Sequence, residues 1–256
     1  MSIIKKLKKL QSDLSRCHCA GVILAGGSGS RFSENESLPK QFTPLCETPM
    51  IAYSLKAFDS ASEICEIVVV SRKEDFQMLD SIIKELSLKK PIKVICGGKT
   101  RQESALCGFE ATSESISFIA VHDAARPLIT PEDIDKIVRS AYRAKACIAA
   151  ERAVDTPKIV SKGGYVKEKA PDRSDLWLAQ TPQVFSKKHY RVAAYYAISE
   201  HFEATDDASL FENAGFRVKV FEVKEPNFKV THKSDALLAE AIISDRKRKE
   251  NTQNES

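Results

Sequence analysis

Val22-Ile23-Leu24-Ala25-Gly26-Gly27-Ser28-Gly29-Ser30-Arg31, followed by Leu38-Pro39-Lys40-Gln41-Phe42, is the stretch that decides the fold. An apolar run that reads as a buried strand empties into a loop of small residues and ends between two cations, Arg31 and Lys40. Glycine lets the backbone approach oxygen atoms closely and turn its N–H donors toward them. Arginine and lysine answer the charge of a polyphosphate. The stretch therefore reads as the end of a first strand in an α/β sheet, with a loop suited to a nucleoside triphosphate.

Two familiar phosphate loops are excluded. Gly, four residues, then Gly-Lys-Ser/Thr is absent, and Gly-x-Gly-x-x-Gly fails at Phe32. The stretch from Ile23 to Arg31, followed by Pro39-Lys40, instead resembles the signature Leu-x-Ala-Gly-Gly-x-Gly-x-Arg then Pro-Lys of nucleotidyltransferases that make sugar and polyol nucleotides, with Ile23 in the place of the leucine.

The chain has 256 residues, 43% hydrophobic and 29% charged, enough for a large core and neither disordered nor fibrous in composition. A formal charge of +4 at pH 7 is too mild for strong nonspecific nucleic-acid binding; a local anionic ligand suffices to explain a basic cleft. Its 7 cysteines, several within apolar runs, fit a reducing compartment. Cys17-His18-Cys19 lacks the second ligand pair a zinc site needs, and no structural metal is assigned. Ile3, Leu7, Leu10 and Leu14 form a helical stripe beside Lys5, Lys6, Lys8 and Lys9, so residues 1–19 read as a basic amphipathic extension. No run approaches membrane-spanning length, and the expectation is a cytoplasmic protein without nucleic-acid or stable membrane association. The polar tail from 244 to 256 is expected to fray.

Apolar runs at Ala20–Ala25, Glu66–Ser71, Ile92–Cys96, Ser117–Val121 and Ala146–Ala150 alternate with amphipathic segments. Helical spacing predicts a helix within Lys73–Leu88 and another over Pro131–Arg143, capped by Thr130 with proline in the first turn. Alternation of this kind predicts an α/β protein with a Rossmann-like, doubly wound and mainly parallel sheet, occupying residues 20–243. Ligands then collect beyond the strands' carboxyl ends, which brings together the loops after Ala25, Cys96 and Val121. The second of these runs Gly97-Gly98-Lys99-Thr100-Arg101-Gln102-Glu103-Ser104 into a helix whose N-terminus can hold an anion or a base edge. Between about 151 and 175 the pattern breaks, and period-two stretches flank Gly163-Gly164: a protruding hairpin arm with little core of its own.

Several motifs recur in order: His122-Asp123-Ala124-Ala125-Arg126-Pro127, Asp155-Thr156-x-Lys158, Trp177-x-Ala179-Gln180-Thr181-Pro182-Gln183, Thr205-Asp206-Asp207-Ala208 and Asn227-x-Lys229-x-Thr231. With the opening loop they resemble the 2-C-methyl-D-erythritol 4-phosphate cytidylyltransferase family from about Ala20 to Ile243. That resemblance implies a Rossmann-like fold, a homodimer formed through the β-arm, and transfer of CMP from CTP to a polyol phosphate with Mg²⁺ or another divalent cation. It also implies residue roles. Arg31 and Lys40 stabilise charge on the α-phosphate, and Arg173 and Lys229 position the attacking phosphate. Ala25, Gly26, Gly27, Gly29, Gly98, Arg101, Ser104 and Asp123 meet the nucleotide, Asp123 near the metal ion. Arg126, Thr156, Thr181 and Thr205 line the polyol phosphate site, some of them across the dimer. Such roles suit the chemistry, because phosphate already carries a nucleophilic oxygen at neutral pH and the obstacle is bringing two anions together. His122 reads as structural rather than as a base.

Leu24-Ala25-Gly26-Gly27 departs from the Ala-Ala-Gly more usual in that family and also suits ribitol-5-phosphate cytidylyltransferase. The His122 and Trp177 motifs favour the erythritol phosphate. Pro157 replaces a larger apolar residue in the arm motif. A noncatalytic nucleotide-binding regulator is a third reading, against which stands the presence of every charged motif position.

Overall fold

A computed structural model describes residues 18–27 and 38–254 of the chain. Its strands are β1 (Cys19–Leu24), β2 (Pro44–Leu45), β3 (Thr48–Pro49), β4 (Ile64–Ser71), β5 (Ile92–Cys96), β6 (Phe118–Asp123), β7 (Ala146–Arg152), β8 (Ile159–Val160), β9 (Val166–Glu168), β10 (Trp177–Ser186) and β11 (Lys219–Glu222). The α-helices are α1 (Met50–Ser60), α2 (Phe76–Leu86), α3 (Arg101–Ala111), α4 (Pro131–Ala144), α5 (Lys187–Ser199), α6 (Asp207–Asn213) and α7 (Lys233–Asn254). All five runs expected to be strands are strands, and both expected helices form.

A 7-stranded sheet of order β11-β7-β10-β6-β1-β4-β5 carries the fold. Every neighbouring pair is parallel except the two made by β10. Because side chains alternate across a strand, each strand feeds two cores. Ile23, Ile67, Val69, Ala120, Cys147, Ala149 and Val184 face one, against α1, α2 and α4. Val22, Val68, Val70, Ile119, Val121, Ala146, Ile148 and Phe185 face the other, against α3, α5 and α6. Phe185 stacks on Phe211 with ring centroids 4.3 Å apart, and truncating so buried a ring to alanine would cost about 3–5 kcal/mol.

Local sequence explains the helix ends. Thr130 accepts the N–H of Asp133 at 3.2 Å and Pro131 opens α4, whose buried Ile134, Ile137, Val138 and Ala141 follow the helical period. Gly108 lets α3 sit directly on the sheet, since a Cβ there would lie 2.3 Å from Val22 Cγ1.

The chain steps outward from β1 to β4 and β5, then returns to β1's other side as β6. The crevice at this reversal is where doubly wound sheets bind ligands. A satellite core of Leu45, Met50, Leu128, Val230, Ala239 and Ile243 fastens α7 behind that crevice. Strands β8 and β9 form the separate hairpin of the arm. Val154, Tyr165 and Val166 are 80%, 80% and 63% exposed there, so the arm buries little of its own apolar surface.

Two details differ from the sequence reading. The tail does not fray at 244: α7 continues to Asn254, held by Lys249–Asp245 at 2.8 Å and by Arg246 Nη1 donating to the Leu128 carbonyl at 2.7 Å. And β10, which contains Pro182, lies inside the sheet. Its pairing with β7 shifts register between Ala179 and Gln183, so the proline sits where no regular ladder bond is required; the Thr181–Pro182 peptide is cis. The amphipathic N-terminal stripe, Gly29 and Arg31 lie outside the described residues.

Candidate functional site

At the β1/β6 crevice lies a cleft of about 580 Å³. Three loops and a returning segment build it: Ala25–Gly27 after β1, Gly98–Arg101 after β5, Asp123–Ala125 from the end of β6, and Lys229 with Thr231 ahead of α7. The loops after β1, β5 and β6 thus meet as the doubly wound sheet predicts. Lys40 joins from the first turn after the glycine loop. Its neighbour Gln41 is buried and bonds Asp75 Oδ2 at 3.4 Å, tying that turn to the start of α2. At Gly26 and Gly27 an added Cβ would meet no described atom within 4 Å. Internal packing of the described residues does not demand glycine there, and the open space suits the close approach of a ligand.

Charge in the cleft centres on Asp123, a buried carboxylate. Lys229 Nζ lies 2.7 Å from its Oδ2, and Arg101 Nη2 lies 3.4 Å from its Oδ1. Burial alone would raise this carboxyl's pKa, but Arg101 and Lys229 hold it well below the usual carboxylate range. Arg101 pairs more closely with Asp207, Nη1 to Oδ2 at 2.7 Å. Although burial disfavours its charge, Asp207 and Asp123 raise its pKa above the ordinary arginine value. Arg101 and Asp123 are therefore both ionised near neutral pH.

A chain of hydrogen bonds fixes Asp123 from below. Its backbone N–H donates to Thr181 Oγ1 at 3.0 Å, Thr181 Oγ1 meets His122 Nδ1 at 3.1 Å, and His122 Nε2 meets the Arg126 carbonyl at 3.2 Å. A carbonyl only accepts, so Nε2 carries the proton and Nδ1 accepts from the Thr181 hydroxyl. Full burial lowers the His122 pKa to about 4, which keeps the ring neutral, as this chain requires. His122 is a strut, in keeping with its reading as structural. Arg126 Nη1 donates to the Asn227 carbonyl at 2.8 Å, and Asn227 Nδ2 reaches Gln180 Oε1 and the Thr181 carbonyl, both at 2.9 Å. The loop bearing Lys229 is thereby anchored to β10.

The start of α3 differs from the open anion seat expected. Thr100 and Glu103 form a capping box, and Glu103 Oε2 accepts from the N–H groups of Lys99 and Thr100 at 2.6 and 3.3 Å. The helix's own carboxylate takes those donors. Gly98 then matters for packing, because a Cβ there would lie 2.3 Å from Glu103 Cβ.

Of the sequence candidates, Ala25, Gly26, Gly27, Lys40, Gly98, Arg101, Ser104, Asp123 and Lys229 line the cleft together. Thr181 and Arg126 stand in the network described above rather than in the lining. Thr205 is exposed just ahead of α6. Thr156 and Arg173 are exposed on the arm, where Arg173 Nη1 donates to the Val154 carbonyl at 2.8 Å, and neither lines the cleft of its own chain. Sequence reasoning gave no role to Asp207 or Asn227, although both stood inside quoted motifs. Their signal was a charged or amide side chain beside residues already chosen.

No group of three or more metal-ligating side chains occurs among the described residues. The cleft offers one carboxylate, Asp123, and open space beside a phosphate-sized loop. That donor set fits Mg²⁺, a hard ion commonly held by one or two carboxylates with the remaining oxygens from substrate phosphates and water.

A doubly wound sheet, a glycine loop at its topological switch point and cations around a single carboxylate together define an α/β nucleotide-binding protein of the phosphoryl-transfer kind. The family model for IspD, 2-C-methyl-D-erythritol 4-phosphate cytidylyltransferase, matches residues 19–245, and the chain belongs to that family. It is 36% identical to the enzyme so named from Caldanaerobacter subterraneus subsp. tengcongensis, over 88% of this chain and 98% of the relative. It is 39% identical to that of Endomicrobium trichonymphae, with the same coverages of 88% and 98%. Among solved structures, the 4-diphosphocytidyl-2C-methyl-D-erythritol synthase of Anaerococcus prevotii superposes with a TM-score of 0.77 at 28% identity, over 88% of this chain and 98% of that one.

Proposed function

We propose that the protein transfers CMP from CTP to 2-C-methyl-D-erythritol 4-phosphate in isoprenoid precursor biosynthesis. A phosphate oxygen of the polyol phosphate attacks the α-phosphorus of CTP and forms a new P–O bond. The bond to the β-phosphate breaks, and pyrophosphate and 4-diphosphocytidyl-2-C-methyl-D-erythritol result. The observation that carries this reading is the convergence of Lys40, Lys229, Arg101 and Asp123 on the glycine loop in a chain of this family.

No serine nucleophile and no strong base is needed. Lys40 and Arg31 neutralise charge building on the α-phosphate, Lys229 and Arg173 align the attacking phosphate, and the Ala25–Gly27 and Gly98–Ser104 loops bind the nucleotide. Asp123 would hold a divalent cation, Mg²⁺ or a similar ion, which supplies further charge neutralisation to the phosphates when bound. Arg126, Thr156, Thr181 and Thr205 serve the polyol phosphate. Thr156 and Arg173 do so from the arm, whose exposed apolar side chains support a homodimer in which the arm reaches the partner. No disulfide joins the described cysteines, which supports a reducing, cytoplasmic setting; no described helix is long and apolar enough to cross a membrane.

Pyrophosphate release with CTP and Mg²⁺ tests the reading, comparing 2-C-methyl-D-erythritol 4-phosphate with ribitol 5-phosphate. Release dependent on the erythritol phosphate is the expected result. Preference for ribitol 5-phosphate would move the pathway and keep the mechanism, and release with neither would return the noncatalytic regulator.

A further inference from the structure

Asp207 is a buried carboxylate that the reaction as described does not use. It opens α6, is 1% exposed, and is held on both oxygens. Oδ1 accepts from the phenol of fully buried Tyr190 at 2.9 Å and Oδ2 from Arg101 Nη1 at 2.7 Å. Burial and the neighbouring carboxylate push the Tyr190 pKa well above its ordinary value, so the phenol remains a donor. Asp207 itself has little room to move. Asp206 caps α6 by accepting from the Ser209 N–H at 3.0 Å, and Gln183 braces the same turn, donating to Asp206 Oδ2 at 2.7 Å and accepting from the Ala208 N–H at 3.0 Å.

Arg101 is thus shared unequally between two carboxylates. Its Nη1 makes a short, charge-assisted bond to Asp207, while its Nε and Nη2 both stay 3.4 Å from Asp123 Oδ1. Asp123 Oδ2 is engaged by Lys229 at 2.7 Å, so Oδ1, held only by the two long Arg101 contacts, is the oxygen a cation in the cleft can take. Without the charge at 207, Asp123 would be the remaining carboxylate partner of Arg101 among the ion pairs described. The guanidinium would close onto it in the two-pronged geometry that arginine favours, and a cation would then have to displace it.

We propose that Asp207 is a positioning residue of the nucleotidyl transfer, drawing Arg101 away from Asp123 so that the cleft carboxylate stays open to the divalent cation that accompanies CTP. It rests on the reading of Asp123 as the residue that holds that cation. Asp207 acts on the metal through Arg101, as residues behind a ligand commonly do, where loss of one partner costs about 10–100-fold in metal affinity.

The test is Mn²⁺ binding at saturating CTP without polyol phosphate, read by water-proton relaxation in the full-length protein, so that no turnover is involved. Asp207→Asn, near-isosteric and able to keep the Tyr190 bond, is expected to weaken Mn²⁺ binding by about tenfold or more. Its turnover loss should be recovered by raising Mg²⁺, which a folding defect would not permit. Tyr190→Phe disturbs the same buried pocket without changing charge there, and it should leave Mn²⁺ affinity unchanged or slightly stronger. Asp207→Asn with wild-type Mn²⁺ affinity overturns the proposal. So does Tyr190→Phe with weakened affinity, an outcome that remains readable even if Asp207→Asn does not fold. Asp123→Asn separates the two layers: Mn²⁺ binding unchanged in that variant would defeat the reading of Asp123 and the proposal with it, whereas binding lost there and intact in Asp207→Asn defeats the proposal alone.

Discussion

The cleft and the arm belong to one chain and are built in opposite ways. Around the cleft, Thr181 accepts the Asp123 backbone N–H, Lys229 lies 2.7 Å from its Oδ2 and Arg101 a longer 3.4 Å from its Oδ1, and Lys229's loop is pinned through Asn227. On the arm, Thr156 is exposed and Arg173 reaches a single backbone carbonyl, while Val154 and Tyr165 present 80% of their surface to solvent. Preorganised dipoles and charges pay no reorganisation cost when the reaction occurs, and the described part of the cleft has the form of such an electrostatic site. A hairpin of β8 and β9 is too short to stand alone and acquires fixed geometry only against another surface. The comparison teaches that the sheet specifies the cleft, whereas on the proposed reading the arm's contribution depends on assembly.

The sharpest way to break that comparison is to remove charge from the preorganised half. Lys229→Ala should lower turnover by roughly 10² to 10³ fold, because Lys229 lies on Asp123 in a cleft where no other described cation pairs with Asp123 Oδ2. Steady-state pyrophosphate release measures this. A loss confined to KM would mean that Lys229 binds substrate and transition state equally and is not aligned on the reacting phosphate.

The arm half is tested by mixing. Arg173→Ala and Lys229→Ala are each expected to be nearly inactive, yet subunits of the two refolded together should regain about a quarter of wild-type turnover if the arm serves the partner's cleft. About half of the dimers are then mixed, and each mixed dimer carries one site with both cations intact. No recovery on mixing would place Arg173 at the cleft of its own chain.

This division also governed what could be read from the sequence. β1, β4, β5, β6 and β7 were legible because strands buried on both faces appear as continuous apolar runs, and α4 because Thr130 and Pro131 announce it. β10 was not legible: Pro182 argues against an interior strand, and only the register shift between Ala179 and Gln183 reconciles the two. The α3 N-terminus read as an anion seat because the glycines are local signals, whereas the reach of Glu103 back to Lys99 and Thr100 depends on side-chain geometry. Asp207 escaped because it lies 106 residues from Arg101, and no periodicity connects them. The arm's site residues came from family resemblance alone; nothing in local pattern says what Thr156 or Arg173 will meet.

His122 offers a pH test of how rigidly the cleft is supported. Its folded pKa of about 4 lies below the ordinary value of 6.5, so the unfolded chain binds the proton more readily between those limits. Its contribution is therefore complete above about pH 6.5 and is lost as pH falls toward 4, by about 3 kcal/mol in total. Asp123 does not confuse this window, because its contribution is lost only as pH falls through its ordinary carboxyl value of 3.8 and below. Urea midpoints from pH 7 down to 4.5 should fall, and the fall should flatten in His122→Gln whatever that variant's overall stability. An equal slope in the variant would show that other groups carry the pH dependence.

The smallest expected effect probes a single hydroxyl. Thr181 Oγ1 accepts the Asp123 N–H at 3.0 Å and meets His122 Nδ1 at 3.1 Å, so Thr181→Val keeps the shape and leaves both groups buried without a partner. An unsatisfied buried donor costs about 1–3 kcal/mol, and thermal unfolding should record a loss of that order. Thr181→Ser retains the hydroxyl and should recover most of it. Equal losses in the two variants would mean that the methyl, lost only in serine, supports the fold as much as the hydroxyl, lost only in valine. A loss with valine only would mean that the cleft carboxylate is positioned through its backbone as well as its charge, a form of support the arm does not give to Thr156.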